Sequence, residues 1–363
     1  MKKNIKKIYR FIVKKIFDII YGKVTLASEV FFENNVLVKK VFFSNKKDRS
    51  YNVYTVDNCR VYSDNSENVA VIKNKYLLPK ISIQLGKNQL IEAKNNSILK
   101  TGTRKLIQKK IKGNVLHLVQ GISAINNYGH WILDILPKLC VAEKYKNLNN
   151  FDAIYLPNIK KKFQIDSLSY FRINPKKFID GSVIRHIYAE KLTIPQHPYW
   201  KINKTQLDTV ANIDPDIINL LKQKFTSIKN EAKVKRLFID RSDSNFFHNQ
   251  IINYKDVSKI LKDNHFKKIK LTELTFIEQI SYFKNAEIIV GAHGAGLTNI
   301  IFCNPGTKVI EFSNTNYITD IFKNICKINN CDYYKMYSTV KAPTAGIAPD
   351  IQVSTSDLIK LIS

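Results

Sequence analysis

"IIVGAHGAGLTNIIF", residues 288–302, runs from an apolar strand-like segment into a helix-like one, with Gly291, Gly294, Gly296 and His293 at the joint. Glycine loses more conformational freedom on folding than any other residue, so three of them here mark a close approach to the backbone. The first N–H groups of a helix lack intrahelical partners and carry partial positive charge, which suits a phosphate at a strand's carboxyl end. The segment therefore reads as a place where a phosphate comes close to the Gly291–Gly296 backbone and His293 could donate to it, with Leu297 next in the candidate binding stretch and Thr298 and Asn299 adding polar groups one turn in. A tight strand–helix turn with an incidental histidine is the simpler alternative. The spacing matches neither a Walker loop nor the GxGxxG of dinucleotide folds.

Outward from this joint the pattern alternates. Helical "DPDIINLLKQKFTSI", "NYKDVSKIL" and "TFIEQISYFKN" precede strand-like "KRLFID", "FKKIKL" and "AEIIV", and "LTNIIF" precedes "TKVIEF". Strands alternating with helices predict a parallel sheet, whose ligands bind at the strands' carboxyl ends. Arg241 follows "RLFID" and Glu311 lies in "TKVIEF", so both are placed at that rim. A guanidinium fork suits a diphosphate, and a carboxylate accepts both hydroxyls of a ribose. A surface arginine and a salt-bridged glutamate are the plain alternatives. Glu273 and Thr275, just beyond another strand end, are candidates for contacting base or sugar. Asp214-Pro215-Asp216 reads as an N-cap before a first-turn proline, not as a metal-binding DxD.

Upstream, "NNYGHWILDILP" (126–137) sets His130 and Asp134 at i and i+4, on one helix face. Such a pair fixes an imidazole tautomer, or supplies a general base from either member. A buried polar pair bracing the helix is the alternative. Pro137 is expected to disturb this helix. Residues 26–125 carry short alternating runs and read as strands, so the early chain is β-rich. Pro-rich "IPQHPYW" (194–200) places a domain junction near residue 200. The predicted division is residues 1–25, 26–200, 201–340 and 341–363.

The 363-residue chain has 44% hydrophobic residues, 20 Phe and 18 Tyr, a globular composition. Its 58 Lys+Arg against 30 Asp+Glu give a net charge of +28, which predicts an anionic partner. Zinc-finger spacing and RNP-like aromatics are absent, which argues against nucleic acid. Five cysteines without a CxxC pair point to neither a disulfide framework nor zinc, and to a reducing cytosol. No apolar run reaches the roughly 20 residues that span a bilayer, and no signal cleavage site is seen. In residues 1–23, Ile5, Ile8, Ile12, Ile16 and Ile19 repeat at helical spacing opposite Lys3, Lys6, Lys7, Arg10 and Lys14. This stripe either lies on an anionic membrane or docks on the protein's own core.

Three segments, "NNYGHWILDILPKL", "RLFIDRSDSNFFHNQIINYKDV" and "GAHGAGLTNIIFCNPGTKVIEF", together resemble the signature blocks of glycosyltransferase family 61. Phe246–His248 depart from the more basic residues that often follow "RSD" in the family. The resemblance covers about residues 115–335. It implies an α/β, GT-B-like fold: two Rossmann-like domains facing a cleft, here with an extra β-rich N-terminal portion. It implies an inverting, metal-independent transfer from a nucleotide diphosphate sugar, UDP by preference, to a glycan or lipid-linked glycan acceptor. His293, Gly294, Ala295 and Gly296 would cradle the diphosphate, Arg241 neutralise it and Glu311 hold the ribose. Asp134 or His130 would face the acceptor, Asp134 being the first choice of base, beside Asn127 and Tyr128. Bacterial members serve capsule and lipopolysaccharide synthesis, so the expected place is the cytoplasmic face of a bacterial membrane, with no cofactor and no metal. A non-catalytic nucleotide- or polyanion-binding module on the same fold is the alternative.

Overall fold

The structure is a computed structural model that describes residues 2–43, 50–64, 68–86, 89–103, 105–119, 127–197, 213–228, 232–242, 249–315, 319–338 and 350–363. The chain divides into two compact units, Met1–Lys160 with Phe171–Thr209, and Lys161–Tyr170 with Val210–Ser363. The predicted junction at residue 200 falls outside the described residues. Helix Lys162–Ser169 belongs to the second unit, where Tyr170 meets Phe225 edge-on at 5.2 Å. The terminal segment joins that unit too. Ile351, Val353, Leu358 and Ile362 share a core with Phe238, Val290 and Phe312, so they complete the unit and form no separate piece.

The second unit has the alternation predicted for it. Its strands β1 (Arg236–Asp240), β2 (Lys267–Lys270), β3 (Ile288–Ala292), β4 (Lys308–Ser313) and β5 (Asp332–Tyr337) are all parallel, in the order β2-β1-β3-β4-β5. β3 and β4 are apolar on successive residues because helices cover both faces of such a sheet. Asp214 caps helix Pro215–Lys224 by accepting from the Asp216 N–H at 2.9 Å, with Pro215 in the first turn, as the Asp-Pro-Asp reading predicts. Thr275 and Glu278 form a capping box that starts helix Phe276–Asn285. The chain runs outward from β1 to β2 and then crosses back to β3. The connections therefore reverse direction between β1 and β3, the place where parallel sheets of this order open a crevice at their carboxyl ends.

The first unit holds a mixed nine-stranded sheet. His186–Pro195, Lys109–His117, Ala153–Leu156 and Phe178–Asp180 lie side by side and parallel. The antiparallel strands Ser50–Ser63 and Val69–Lys73 extend the same sheet from His186–Pro195. The β-rich early chain is thus an extension of the parallel part, not a separate layer.

Helix Lys2–Tyr21 packs on this unit through Phe17, which is fully buried beside Val24, Ile72, Leu77 and Ile98. The stripe of Ile5, Ile8, Ile12, Ile16 and Ile19 remains exposed. Docking on the protein's own core therefore uses another face of the helix, Val13 and Phe17, which the isoleucine spacing concealed.

Two histidines are enclosed in this unit. His117 stacks on Tyr155 at 5.6 Å and, among the described residues, neither ring nitrogen has a hydrogen-bond partner. Burial, with the nearby Lys138 charge, pushes its pKa down to about 3. Burial likewise brings His186 down to about 4, although its Nδ1 donates to the Lys105 carbonyl at 2.8 Å. Unfolded, both take up protons as pH falls below their ordinary 6.5, whereas folded they stay neutral to about 4 or 3. Their contribution is whole above pH 6.5 and declines as pH falls. Denaturant titrations at stepped pH should show stability dropping from pH 6.5 to 4.5, by up to about 1.4 kcal/mol per pH unit per histidine. His117→Phe should flatten that slope; an unchanged slope would contradict the neutral, buried state of His117.

Candidate functional site

In the second unit Arg241, His293 and the glycine joint come together at the β1/β3 crossing point. β3 ends at Ala292, and the short helix expected after it is a 3₁₀ helix over Ala295–Phe302. Its first internal bond joins Leu297 N to Gly294 O at 3.0 Å, so the amides of Ala295 and Gly296 precede the ladder. Arg241, next after β1, lies directly on this joint. A methyl group on Gly294 would come within 2.4 Å of its Nη1 and 2.5 Å of its Cζ. A methyl on Gly296 would meet Leu271 Cδ1 at 2.4 Å, and one on Gly291 would meet Ile239 Cβ at 3.1 Å. A side chain at Gly294 or Gly296 would thus push aside the ends of the protein's own side chains, Arg241 foremost. A recess of about 90 Å³ opens beside them, lined by Asp240, Arg241, Ser242, Asn249, Tyr254 and Ala292.

His293 is held from three sides. Its N–H donates to Phe312 O at 2.8 Å, its carbonyl accepts from Asn249 Nδ2 at 3.3 Å, and its Nδ1 meets Glu311 Oε1 at 2.5 Å. Glu311 is fully buried, and its other oxygen accepts from the Tyr333 hydroxyl on β5. Burial, followed by the Glu311 charge, pushes the Tyr333 pKa far up, which keeps that hydroxyl protonated as a donor. Glu311, expected to hold a ribose or else to serve as a salt-bridge partner, is thus enclosed with a protein donor on each oxygen.

Leu297, Thr298 and Asn299 are buried as well. Asn299 Nδ2 donates to Gln279 Oε1 at 3.0 Å and bonds Gly296 O at 3.2 Å, so it braces the turn from inside. Glu273 is exposed near Lys270 at 3.9 Å, and Thr275 serves as a helix cap.

In the first unit His130 and Asp134 do share a face. Asn127 caps the short helix Tyr128–His130 by accepting from His130 N at 3.1 Å. Trp131–Ile135 then form a π-helical turn, with Leu136 N reaching back five residues to Trp131 O. Pro137 sits in the first turn of the α-helix that resumes at Leu136, where a missing N–H is harmless. The predicted disturbance is thus a widened turn just before the proline. Asp134 is fully buried within it, and its Oδ2 lies 2.7 Å from His130 Nδ1. His197, 63 residues later, places Nε2 3.2 Å from the other oxygen. Burial alone would raise the Asp134 pKa, but the two imidazoles outweigh it and hold the carboxyl well below its usual range. Burial, opposed by the Asp134 hydrogen bond, leaves His197 at about 4, neutral at pH 7. An ionised Asp134 accepts from His130 Nδ1 and so sets the orientation of the ring. His130 keeps 20% of its side chain exposed, whereas Asp134 has none.

The profile of glycosyltransferase 61 matches residues 128–310, half of the chain, and takes in His130, Asp134, Arg241, His293 and the glycine joint. The chain belongs to the glycosyltransferase 61 family. It is 32% identical over 79 residues to a beta-1,2-xylosyltransferase of Arabidopsis thaliana, 21% of this chain and 15% of that protein. It is 23% identical over 184 residues to an EGF domain-specific O-linked N-acetylglucosamine transferase of Gallus gallus, 48% of this chain and 30% of that protein. The chain thus spans less than a third of the length of either relative.

In this family member three residues escaped sequence reasoning: His197, Tyr333 and Asp240. Asp240 accepts from Ser242 N, Ser242 Oγ and Tyr254 Oη, each at 3.0 Å, which shapes the turn that carries Arg241. Residues 243–248, with the departing Phe246–His248, lie outside the described residues. Among the described residues no group of three or more His, Cys, Asp and Glu side chains is arranged to hold a metal ion. A wider cavity of about 600 Å³ in the first unit, among Phe32, Asn35, Asn52, Tyr54 and Asp57, contains none of the expected site residues.

Removal of a buried carboxylate strands the groups bonded to it. Glu311→Ala should lower unfolding stability by about 2–4 kcal/mol and Tyr333→Phe by about 1 kcal/mol. Urea titration measures both. Full stability in Glu311→Ala would mean that the carboxylate is free to serve a ligand.

Proposed function

We propose that this chain is a glycosyltransferase that moves a sugar from a nucleotide diphosphate donor to an acceptor hydroxyl, with His130 as general base. The observation that carries the reading is the part-exposed His130 imidazole bound through Nδ1 to a fully buried Asp134. The order of preference between the two is therefore reversed from the sequence expectation. Asp134, enclosed and strongly acidic, orients the ring and balances the imidazolium that forms; His130 Nε2 takes the proton.

In the reaction the acceptor oxygen attacks the anomeric carbon, its proton passes to His130 Nε2, and the bond to the diphosphate oxygen breaks. One displacement of this kind inverts the anomeric centre and needs no protein nucleophile. The departing diphosphate gains negative charge. Arg241 and the amides at the start of the 3₁₀ helix supply positive charge for it without a metal ion. His293, fixed by Glu311, presents its Nε2 edge to the same anion. We assign donor binding to the second unit and acceptor activation to the first, as in a GT-B transferase. UDP-sugars are the first donors to test, with xylose and N-acetylglucosamine included because the relatives' names carry them. Synthesis of bacterial surface polysaccharide, capsule or lipopolysaccharide, is the setting we favour on family resemblance; the two relatives named above come from a plant and a bird.

Two measurements test the assignment. A UDP-sugar panel assayed in EDTA should reveal turnover, or slow hydrolysis to UDP. His130→Ala and Asp134→Asn should then reduce the rate by about 10²–10⁴ while UDP affinity holds. Full activity in His130→Ala would remove it as base. By calorimetry Arg241→Ala should weaken UDP binding, and Gly294→Ala should do likewise by displacing the same guanidinium. The double variant should be no worse than Arg241→Ala alone. Additive losses would show that the two positions act separately.

A further inference from the structure

We propose that the outward face of helix Lys2–Tyr21 is a docking surface for an anionic lipid bilayer. This inference does not depend on the transfer reading. The helix carries two apolar stripes with different fates. Val13 and Phe17 are buried in the first unit, and Tyr21 is held there with the Arg60 guanidinium 4.5 Å above its ring. The Tyr21 hydroxyl donates to the Leu106 carbonyl. Gly102, at φ +60°, lets the Phe17 ring approach to 3.1 Å of where a Cβ would stand. The helix is therefore fixed in rotation by its inner face.

That rotation turns Ile5, Ile8, Ile12, Ile16 and Ile19 away from the unit, exposed by 59, 60, 50, 39 and 82%. At 100° per residue they fall within an arc of about 80°, along roughly 20 Å of helix. Tyr9 and Ile20 widen the same exposed face. A contiguous apolar strip of this kind marks an interaction surface, not ordinary solvent-facing helix. Lys15 is exposed at the edge of the strip beside Ile8, and Lys6, Lys7 and Arg10 are exposed about 120–160° around the helix from its centre. Among the described residues no helix is long and apolar enough to cross a membrane, so the geometry is that of a helix lying in the headgroup plane.

Charge decides the occupant. Pairing with a second copy through the strip would set side by side two helices that each carry Lys6, Lys7, Arg10 and Lys15 with Asp18 as the one acidic residue, at like sign. An anionic headgroup layer neutralises them instead, and the net charge of +28 adds longer-range attraction.

Flotation of the full chain with vesicles tests this. The protein should rise with phosphatidylglycerol-containing vesicles, stay behind with pure phosphatidylcholine, and lose binding as salt is raised. Ile8→Asp/Ile12→Asp/Ile19→Asp should cut the vesicle-bound fraction by about tenfold or more. Its melting temperature should stay nearly unchanged, because Ile8, Ile12 and Ile19 are exposed and lie outside the buried cluster around Phe17. Should that variant fail to fold, Lys6→Glu/Lys7→Glu/Arg10→Glu must show the loss at low salt. The proposal is overturned if the wild type ignores anionic vesicles, or if the charge-reversed or triple-Asp protein floats as well as the wild type. It is equally overturned if the wild type is a dimer that the triple-Asp change makes monomeric without altering flotation.

Discussion

In each unit of this protein a fully buried carboxylate has an imidazole bonded to one oxygen and a second donor on the other. Asp134 binds His130 and His197; Glu311 binds His293 and Tyr333. A lone buried carboxylate is costly, and only such paired donors make burial tolerable. The carboxylate in turn dictates which imidazole nitrogen carries the proton and which way the ring faces. Everything proposed about the chemistry follows from that constraint: two imidazoles oriented before any substrate arrives.

The local backbone is shaped around these couples. The π-helical turn at Trp131–Ile135 carries Asp134 inward while Pro137 starts the next α-helix without loss of a needed hydrogen bond. In the second unit the β-strand order opens a crevice between β1 and β3. The glycine joint is thin because Arg241 lies on Gly294. The guanidinium is thereby set among helix-start amides, a concentration of positive charge that costs no reorganisation when an anion arrives. On the proposed reading the glycines serve the donor through the arginine they admit.

Much of this was legible in the sequence because it is periodic or local. Alternating helices and strands after residue 213, the Asp214 cap, the His130–Asp134 pair at i and i+4 and the place of Arg241 beside the glycines all depend on near neighbours. The partners that complete each couple were not legible. His197 comes from a proline-flanked loop 63 residues after Asp134, and Tyr333 from a strand 22 residues after Glu311, where only tertiary packing sets the pairing. Glu311 kept two readings for a related reason: β4 is buried on both faces, so strand alternation does not say which way a carboxylate points. Thr298 and Asn299 look like ligand groups by polarity, but both are buried, and Asn299 bonds Gly296 O and the Gln279 side chain. On helix Lys2–Tyr21 the conspicuous isoleucine stripe hid the sparser Val13–Phe17 face that docks.

The most direct test of the carboxylate constraint is the tautomer of His130, read from imidazole ¹⁵N shifts in the folded protein at neutral pH. The account predicts a proton on Nδ1, shared with Asp134, and a bare Nε2. A proton on Nε2 with Nδ1 unprotonated would contradict it, because the nitrogen assigned to receive the acceptor's proton would already be occupied.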